Sequence, residues 1–441
     1  TDIKINASTV DTLTFEAGAA ISLNLNQENF ASGKGNQSDT TFAKAMLTAN
    51  NKTNTATEHY YMYLDISENT FTYTQDENTP EILLTIKDAN GNAITSITGL
   101  THKTVTDGKG ASISGFDITT KKEAITLFNN REITANPTKT EQWNITVTFV
   151  NYNANQTGNA GKSFNAKLII QQEEQKPTLS EYVISQYTGT QGDNALYYHN
   201  STLTNGAGDN SYRYAGASDS VNNYICLGSD VATCPDANLF RIIGVFGDQT
   251  KVIRAKSVGN KQWHTSESNT WSSSSLNAYL NGEYLTSLGT LADKIATTTW
   301  KVGGGTWSNI ATSVPKTVYQ YEVGSSASTT TVDKKIGLMY VSDYYYSASP
   351  SAWTLVGYNE SDATKDYRAA KTINWLYLGS NEWTISRTSD ITPYAFGMFS
   401  TGLVSNYGVT LSFGVRPSFN LLSSVTYASG SGTSSDPIRI N

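Results

Sequence analysis

The chain has 441 residues, a formal net charge of −7 and 16% charged residues, against about 25% in an ordinary globular protein. That length points to two domains or more. The acidic balance, with no Lys/Arg cluster, excludes the electrostatic footprint of a nucleic-acid or anionic-membrane binder. Ser, Thr, Asn, Gly and Tyr take the place of charge, a profile that suits an extracellular β-rich protein. No stretch is long and apolar enough to insert in a membrane. The chain opens at Thr1, with neither Met nor a signal peptide, and so reads as a mature protein or trimmed ectodomain without its anchor.

The first segment, TDIKINASTVDTLTF (1–15), is strand-like and a candidate for pairing with a neighbouring copy. YYMYLDI (60–66) reads as a strand, and EILLTIKDANGNAITSI (81–97) as two strands around a DANGN turn. Asp88, Asn90 and Asn92 offer oxygens at alternate positions. An EF-hand, however, needs a bidentate Glu where this chain has Ile97, so calcium has no specific motif. TKKEAITLFNN (120–130) reads as a short helix. WNITVTFVNY (143–152) and SFNAKLIIQQ (163–172) read as a strand pair around an Asn/Gly-rich loop. Strands at this spacing predict an antiparallel β-sandwich over 1–172.

Composition shifts near residue 175. Only Trp143 of eight tryptophans, and five of 26 tyrosines, come before it. The polar QQEEQKPTLSEY (171–182), with Pro177, reads as a hinge, giving a linker at 173–181 and a second domain over 182–441. In that domain NLFRIIGVFGDQTKVIRAK (238–256) is a hairpin around Gly247 and Asp248. SSSSLNAYLNGEYLTSLGTLADKIA (272–296) is the best helical stretch, with Leu276, Tyr279 and Leu280 on one face and Gly282 as its breaker. A second short helix is expected around Leu288 to Ile295. A Ser/Thr/Gly loop (324–331) leads to KIGLMYVSDYYYS (335–347), which reads as a strand.

Cys226 and Cys234 are the two cysteines, and their close spacing predicts a disulfide rather than a redox or zinc motif. Near the C-terminus Arg416 stands between Val415 and Pro417 in an apolar stretch. A guanidinium cannot lose its charge, so in a core it must meet carboxylates or carbonyls. The expected role is structural, with Pro417 ending strand pairing at an edge or bulge.

Motifs for chemistry are absent. The four histidines, His59, His102, His199 and His264, show no metal-ligand spacing, and His199 reads as a satisfied polar residue among aromatics. There is no nucleophile elbow, P-loop or dinucleotide fingerprint; VGGGTW (302–307) reads as a loop without a strand-into-helix setting. Asp343 and Glu382 make a glycosidase pair only if they face each other across a cleft about 5–10 Å wide. What remains is aromatic density over 344–394, set among Ser, Asn and Thr, the composition of adaptable binding loops. Tyr345, Trp353 and Tyr358, in a loop-like stretch with Pro350, are the surface-binding candidates. Trp271, Trp375 and Trp383 are assigned to the core.

The stretch WNITVTFVNYNANQTGNAGKSFNAKLII, within 81–172, resembles the domain of the Gram-positive biofilm-fibre and camelysin family. The resemblance implies a jelly-roll-like sandwich at the cell surface. Camelysins are described as peptidases, but this chain has no HExxH, so no activity is carried over. Over 180–441 the ordered signposts are CPDANLFRIIGVF, TWSSSSLNAYLNGEYL, IGLMYVSDYYYS, NWLYLGSNEWTIS and FGVRPSFNL. They resemble an uncharacterised domain family of Gram-positive surface proteins, itself similar to the C-type-lectin and formylglycine-generating-enzyme fold. That implies an α+β domain. The enzyme's cysteines lie late in its fold and this pair lies early, so that activity is not implied either. The lectin calcium motifs are also missing.

The combined expectation is a non-enzymatic cell-surface protein. A β-sandwich stalk or spacer carries an α+β domain that binds host glycan, mucin or matrix protein. A structural subunit that self-associates into a surface fibre or layer is one alternative, and a glycan- or peptide-directed hydrolase another.

Overall fold

A computed structural model describes residues 11–30, 34–50 and 54–441. The chain divides into two compact units, Thr1–Gln175 and Lys176–Asn441.

The first unit is two antiparallel sheets over one core. Six strands run in the order Thr12–Ala17, Gln37–Thr48, Thr138–Phe149, Ile82–Asp88, Ser112–Asp117 and His102–Thr106. Four more run Ile21–Asn24, Ser163–Gln171, Ala56–Asn69 and Ile125–Ala135. Period-two burial explains the arrangement. On the first sheet Ile82, Leu84 and Ile86 pair with Phe149, Val147 and Ile145, all buried. On the second, Leu64 and Ile66 pair with Leu168 and Ala166, also buried. A buried polar latch helps join the layers. Trp143 Nε1 donates to Tyr60 Oη at 2.9 Å, Tyr60 donates to Glu141 at 2.7 Å, and Arg131 clamps Glu141 with two hydrogen bonds.

Three expectations for this unit are corrected. The helix expected over 120–130 is the strand Ile125–Ala135, whose Ile125, Leu127 and Ile133 point into the core. A short isolated helix gains too little from its own hydrogen bonds to compete with pairing along Ala56–Asn69. The strands around NANQTGNAG are not partners: one belongs to each sheet, because both present apolar faces to the core from opposite sides. DANGN does turn, with Asp88 Oδ1 accepting from Asn90 and Asn92 N–H. The chain beyond it makes one bridge, Lys87 to Ala93, rather than a strand. Of the candidate donor segment 1–15, residues 1–10 lie outside the described residues. Thr12–Ala17 is an edge strand of its own sheet.

The second unit begins earlier than the expected linker allows. Thr178 Oγ1 accepts from Glu181 N–H while the Glu181 carboxylate accepts from Thr178 N–H, so a helix already runs Leu179–Ser185. The main sheet follows the order Leu196–Tyr198, Tyr212–Tyr214, Leu239–Phe246, Gln249–Arg254, Ser418–Asn420 and Ile336–Gly337, with Tyr224–Cys226 also pairing Leu239–Phe246. A second sheet runs Asn260–Gln262, Ser412–Gly414, Glu382–Arg387, Tyr394–Met398 and Val404–Gly408. With its short helices the unit is α+β. Among the described residues no helix is long and apolar enough to cross a membrane.

The hairpin 238–256 forms as expected, turning at Gly247 with φ +64°. The helical run starts at Ser275, capped by Ser274, and continues through a widened turn at Leu280–Tyr284 that contains Gly282. Gly282 therefore does not break it; burial of Leu276, Leu280 and Tyr284 carries the helix past, and the break comes at Gly289. The strand expected over 335–347 is limited to Ile336–Gly337, and Val341–Tyr346 is a helix. Carboxylates satisfy its first N–H groups: Asp343 accepts from Tyr340, and Glu322 from Val341 and Ser342. Pro417 marks no edge. It leads into Ser418–Asn420, which is paired on both sides.

Cys226 and Cys234 form a disulfide. Arg439 holds the loop they close, donating to the carbonyls of Ser229, Val231 and Ala232.

Candidate functional site

Seven of the eight tryptophans are buried; Trp307 is the exception. It opens the short helix Trp307–Ile310, which Thr306 caps by accepting from Asn309 N–H. Its ring lies 5.5 Å from that of Tyr358 at an interplanar angle of 70°. Together they border an open groove of about 520 Å³, with Thr312, Val356, Asn359, Glu360 and Ser361 around it.

The loop behind these rings is rigidly tied. Tyr358 N–H donates to Ala311 O at 2.7 Å. Asn359 Oδ1 accepts from the backbone of Ser361 and Asp362 and from the Ser361 hydroxyl. Buried Asp366 accepts from Asn359 N–H and pairs with Arg368, which in turn donates to Asn359 O. The Arg368 guanidinium sits 5.7 Å from the Tyr358 ring. The groove thus presents two nearly perpendicular aromatic rings on a fixed scaffold, beside hydroxyl, amide and carboxylate groups. Such a surface stacks on a flat ligand and hydrogen-bonds its edge.

Of the three surface-binding candidates only Tyr358 reaches this groove. Tyr345 and Trp353 have relative exposures of 0% and 1%, which corrects their placement at the surface. Tyr345 lies in the helix Val341–Tyr346, its hydroxyl donating to Ile310 O at 3.2 Å. It packs so closely beneath Gly357 that a Cβ there would fall 1.9 Å from the hydroxyl. It supports the groove from inside. Trp353 packs against Tyr197, His199 and Tyr346, with its Nε1–H donated to Ala348 O. In both cases long-range packing, invisible in local composition, claims the ring. Trp271, Trp375 and Trp383 are buried in the main core.

Trp307 was missed because VGGGTW reads only as a glycine loop. That loop does lie between the strand Thr298–Lys301 and the helix Trp307–Ile310. Its central glycine has a packing reason: at Gly304, φ is +64° and a Cβ would meet Arg387 O at 1.9 Å.

The two carboxylates considered for hydrolysis are each matched to a buried cation. Asp343 takes Lys251 at 2.6 Å, and Glu382 takes Arg416 at 2.7 Å. Arg416 also donates to Leu376 O. Burial pushes the Glu382 carboxyl up from its ordinary value, with Arg416 opposing.

His199 is fully buried. Its Nδ1 accepts from Ala207 N–H, which leaves the proton on Nε2, an atom without a hydrogen-bond partner among the described residues. Burial, and then the Arg213 charge, hold its pKa well below the ordinary histidine value. Below about pH 6.5 the unfolded histidine takes a proton that the folded one refuses, so stability falls as pH falls. The melting temperature of the wild type is therefore expected to drop more between pH 7 and 5 than that of His199→Gln; equal slopes would count against it.

No family model, curated protein or solved structure matches this chain.

Proposed function

We propose that the chain is a non-catalytic ligand-binding protein of a bacterial cell surface, an adhesin whose second unit holds a host glycan, mucin or matrix protein at the Trp307–Tyr358 groove. The first unit acts as stalk or spacer. Its jelly-roll-like character, and the C-type-lectin-like character of the second unit, belong to the same proposal. The observation that carries the reading is Trp307, a large apolar ring left partly exposed beside Tyr358 when every other tryptophan is buried. Sugar rings stack on such faces, and loops held on a rigid scaffold are where binding residues concentrate. The disulfide fits an oxidising compartment.

The test compares the full chain with a Trp307→Ala/Tyr358→Ala variant on a glycan and matrix-protein array. Saturable binding by the wild type, lost in a variant that melts within a few degrees of it, is the expected result. Silence of the folded wild type, with polymers visible by electron microscopy, would replace this reading with the fibre-subunit alternative.

A further inference from the structure

A second concavity, away from the groove residues, has a volume of about 230 Å³. Its walls are rings of Phe246, Trp300, Tyr319 and Tyr340. Its floor is a chain of buried charges. Lys251 Nζ lies 2.6 Å from Asp343 Oδ2, and Arg213 Nη1 lies 3.9 Å from Asp343 Oδ1. Arg213 and Lys251 are only 2% and 5% exposed.

The hydrogen-bond accounts of these two cations do not close within the protein. Arg213 gives Nε to Ser211 and Nη2 to Asp209, while Nη1 has no acceptor within hydrogen-bond distance among the described residues. Lys251 has three donors and makes one hydrogen bond, to Asp343. Its other neighbours are ring faces, with Tyr340 at 4.7 Å and Trp300 at 5.4 Å. Arg213 likewise lies 4.7 Å from the Phe246 ring and 5.2 Å from Tyr319. Donors on buried charges are ordinarily answered by a protein acceptor, by water or by a ligand. Here both unanswered donors border the same cavity.

The chemistry of the lining selects the ligand. At Arg213 and Lys251 donors are in excess, which calls for an acceptor such as a carboxylate, while Asn420 Oδ1, buried in the same lining without a partner among the described residues, takes a donor. Arg213, Lys251 and Lys301 against Asp209 and Asp343 leave one net positive charge around the cavity, which suits a single negative one. Lys251 already fills the aromatic surroundings a ligand cation would need. At roughly 30 Å³ per water, the space equals about seven or eight waters, room for one ring and a small substituent.

We propose that this cleft binds a small monocarboxylate built on one six-membered ring, its carboxylate bridging Arg213 Nη1 and Lys251 Nζ and its ring lying against the aromatic walls. The site is separate from the Trp307–Tyr358 groove and does not depend on what that groove holds. Sugar acids and aromatic acids share this chemistry.

The test is isothermal titration of the full chain with glucuronate and with benzoate, each beside its uncharged counterpart, methyl glucoside or benzamide. A Val323→Phe variant fills the cavity from a half-buried wall position without touching the ion pairs. At least one acid is expected to bind at one-to-one stoichiometry, with its neutral counterpart and the filled variant weaker by about tenfold or more. Glucuronate alone assigns a sugar acid, and benzoate alone an aromatic acid. The proposal is overturned if neither acid binds the folded wild type. It is equally overturned if a neutral counterpart binds as tightly, or if a Val323→Phe protein that melts like the wild type retains full affinity.

Discussion

Replacing Arg416 by methionine is expected to destabilise the second unit by about 3–5 kcal/mol, a fall in melting temperature on the order of 10 °C. The physical cause is the partner left behind. Glu382 is 1% exposed, and Arg416 supplies its counter-charge through Nε at 2.7 Å and Nη2 at 2.8 Å. Without the guanidinium, a carboxylate remains buried and unpaired, and Leu376 O loses a donor. The pH dependence identifies the mechanism. Burial already raises the Glu382 pKa against the opposing pull of Arg416, so removing Arg416 raises it further. A carboxyl whose folded pKa is raised is most compatible with the fold below its unfolded value and loses that as pH rises through the folded one. The deficit of Arg416→Met should therefore shrink as pH is lowered from 7 towards 5. Adding Glu382→Gln should recover part of it at pH 7. A deficit independent of pH and unchanged in the double variant would mean that Arg416 acts through shape rather than charge.

Trp353→Ala is the second large effect, expected at about 3–5 kcal/mol. The ring fills a space between Tyr197, His199 and Tyr346, and its Nε1–H satisfies Ala348 O. Truncation leaves a cavity and an unpaired carbonyl. Chemical denaturation should show the loss, while ligand affinity of the protein that remains folded is unchanged. A melt like the wild type, accompanied by lost binding, would return Trp353 to the ligand surface.

The contrast between Trp353 and Trp307 shows where a sequence stops being informative. Both lie in stretches rich in Ser, Thr and Gly. Trp353 is claimed by residues about 150 positions earlier, around His199, whereas Trp307 stays partly exposed at the edge of the core beside Tyr358. Local composition contains neither fact. Strand character was legible in Ile82–Asp88, whose β-branched and apolar run is local, but not in Ile125–Ala135, which reads as a helix although Ile125, Leu127 and Ile133 share the core face. Which strands pair was not: the two strands around NANQTGNAG look like a hairpin and belong to different sheets. The helix Val341–Tyr346 was missed because its run of tyrosines favours strand. Its stability comes from Asp343 and from Glu322, the latter 19 residues before Val341. Arg416 was the best case. Its fixed charge required carboxylates or carbonyls, and it meets one of each, Glu382 and Leu376 O, although nothing local named either.

The central claim, recognition by ring stacking at the Trp307–Tyr358 groove, makes Trp307 the tryptophan that solvent reaches. Acrylamide quenching of tryptophan fluorescence reads it directly. In wild-type protein one emitting component should be quenched freely. A glycan or matrix protein that binds on the array should protect that component, and Trp307→Phe should abolish both the quenching and the protection. Protection that persists in Trp307→Phe, or a bound ligand that leaves the quenching of the wild type unaltered, would contradict the account.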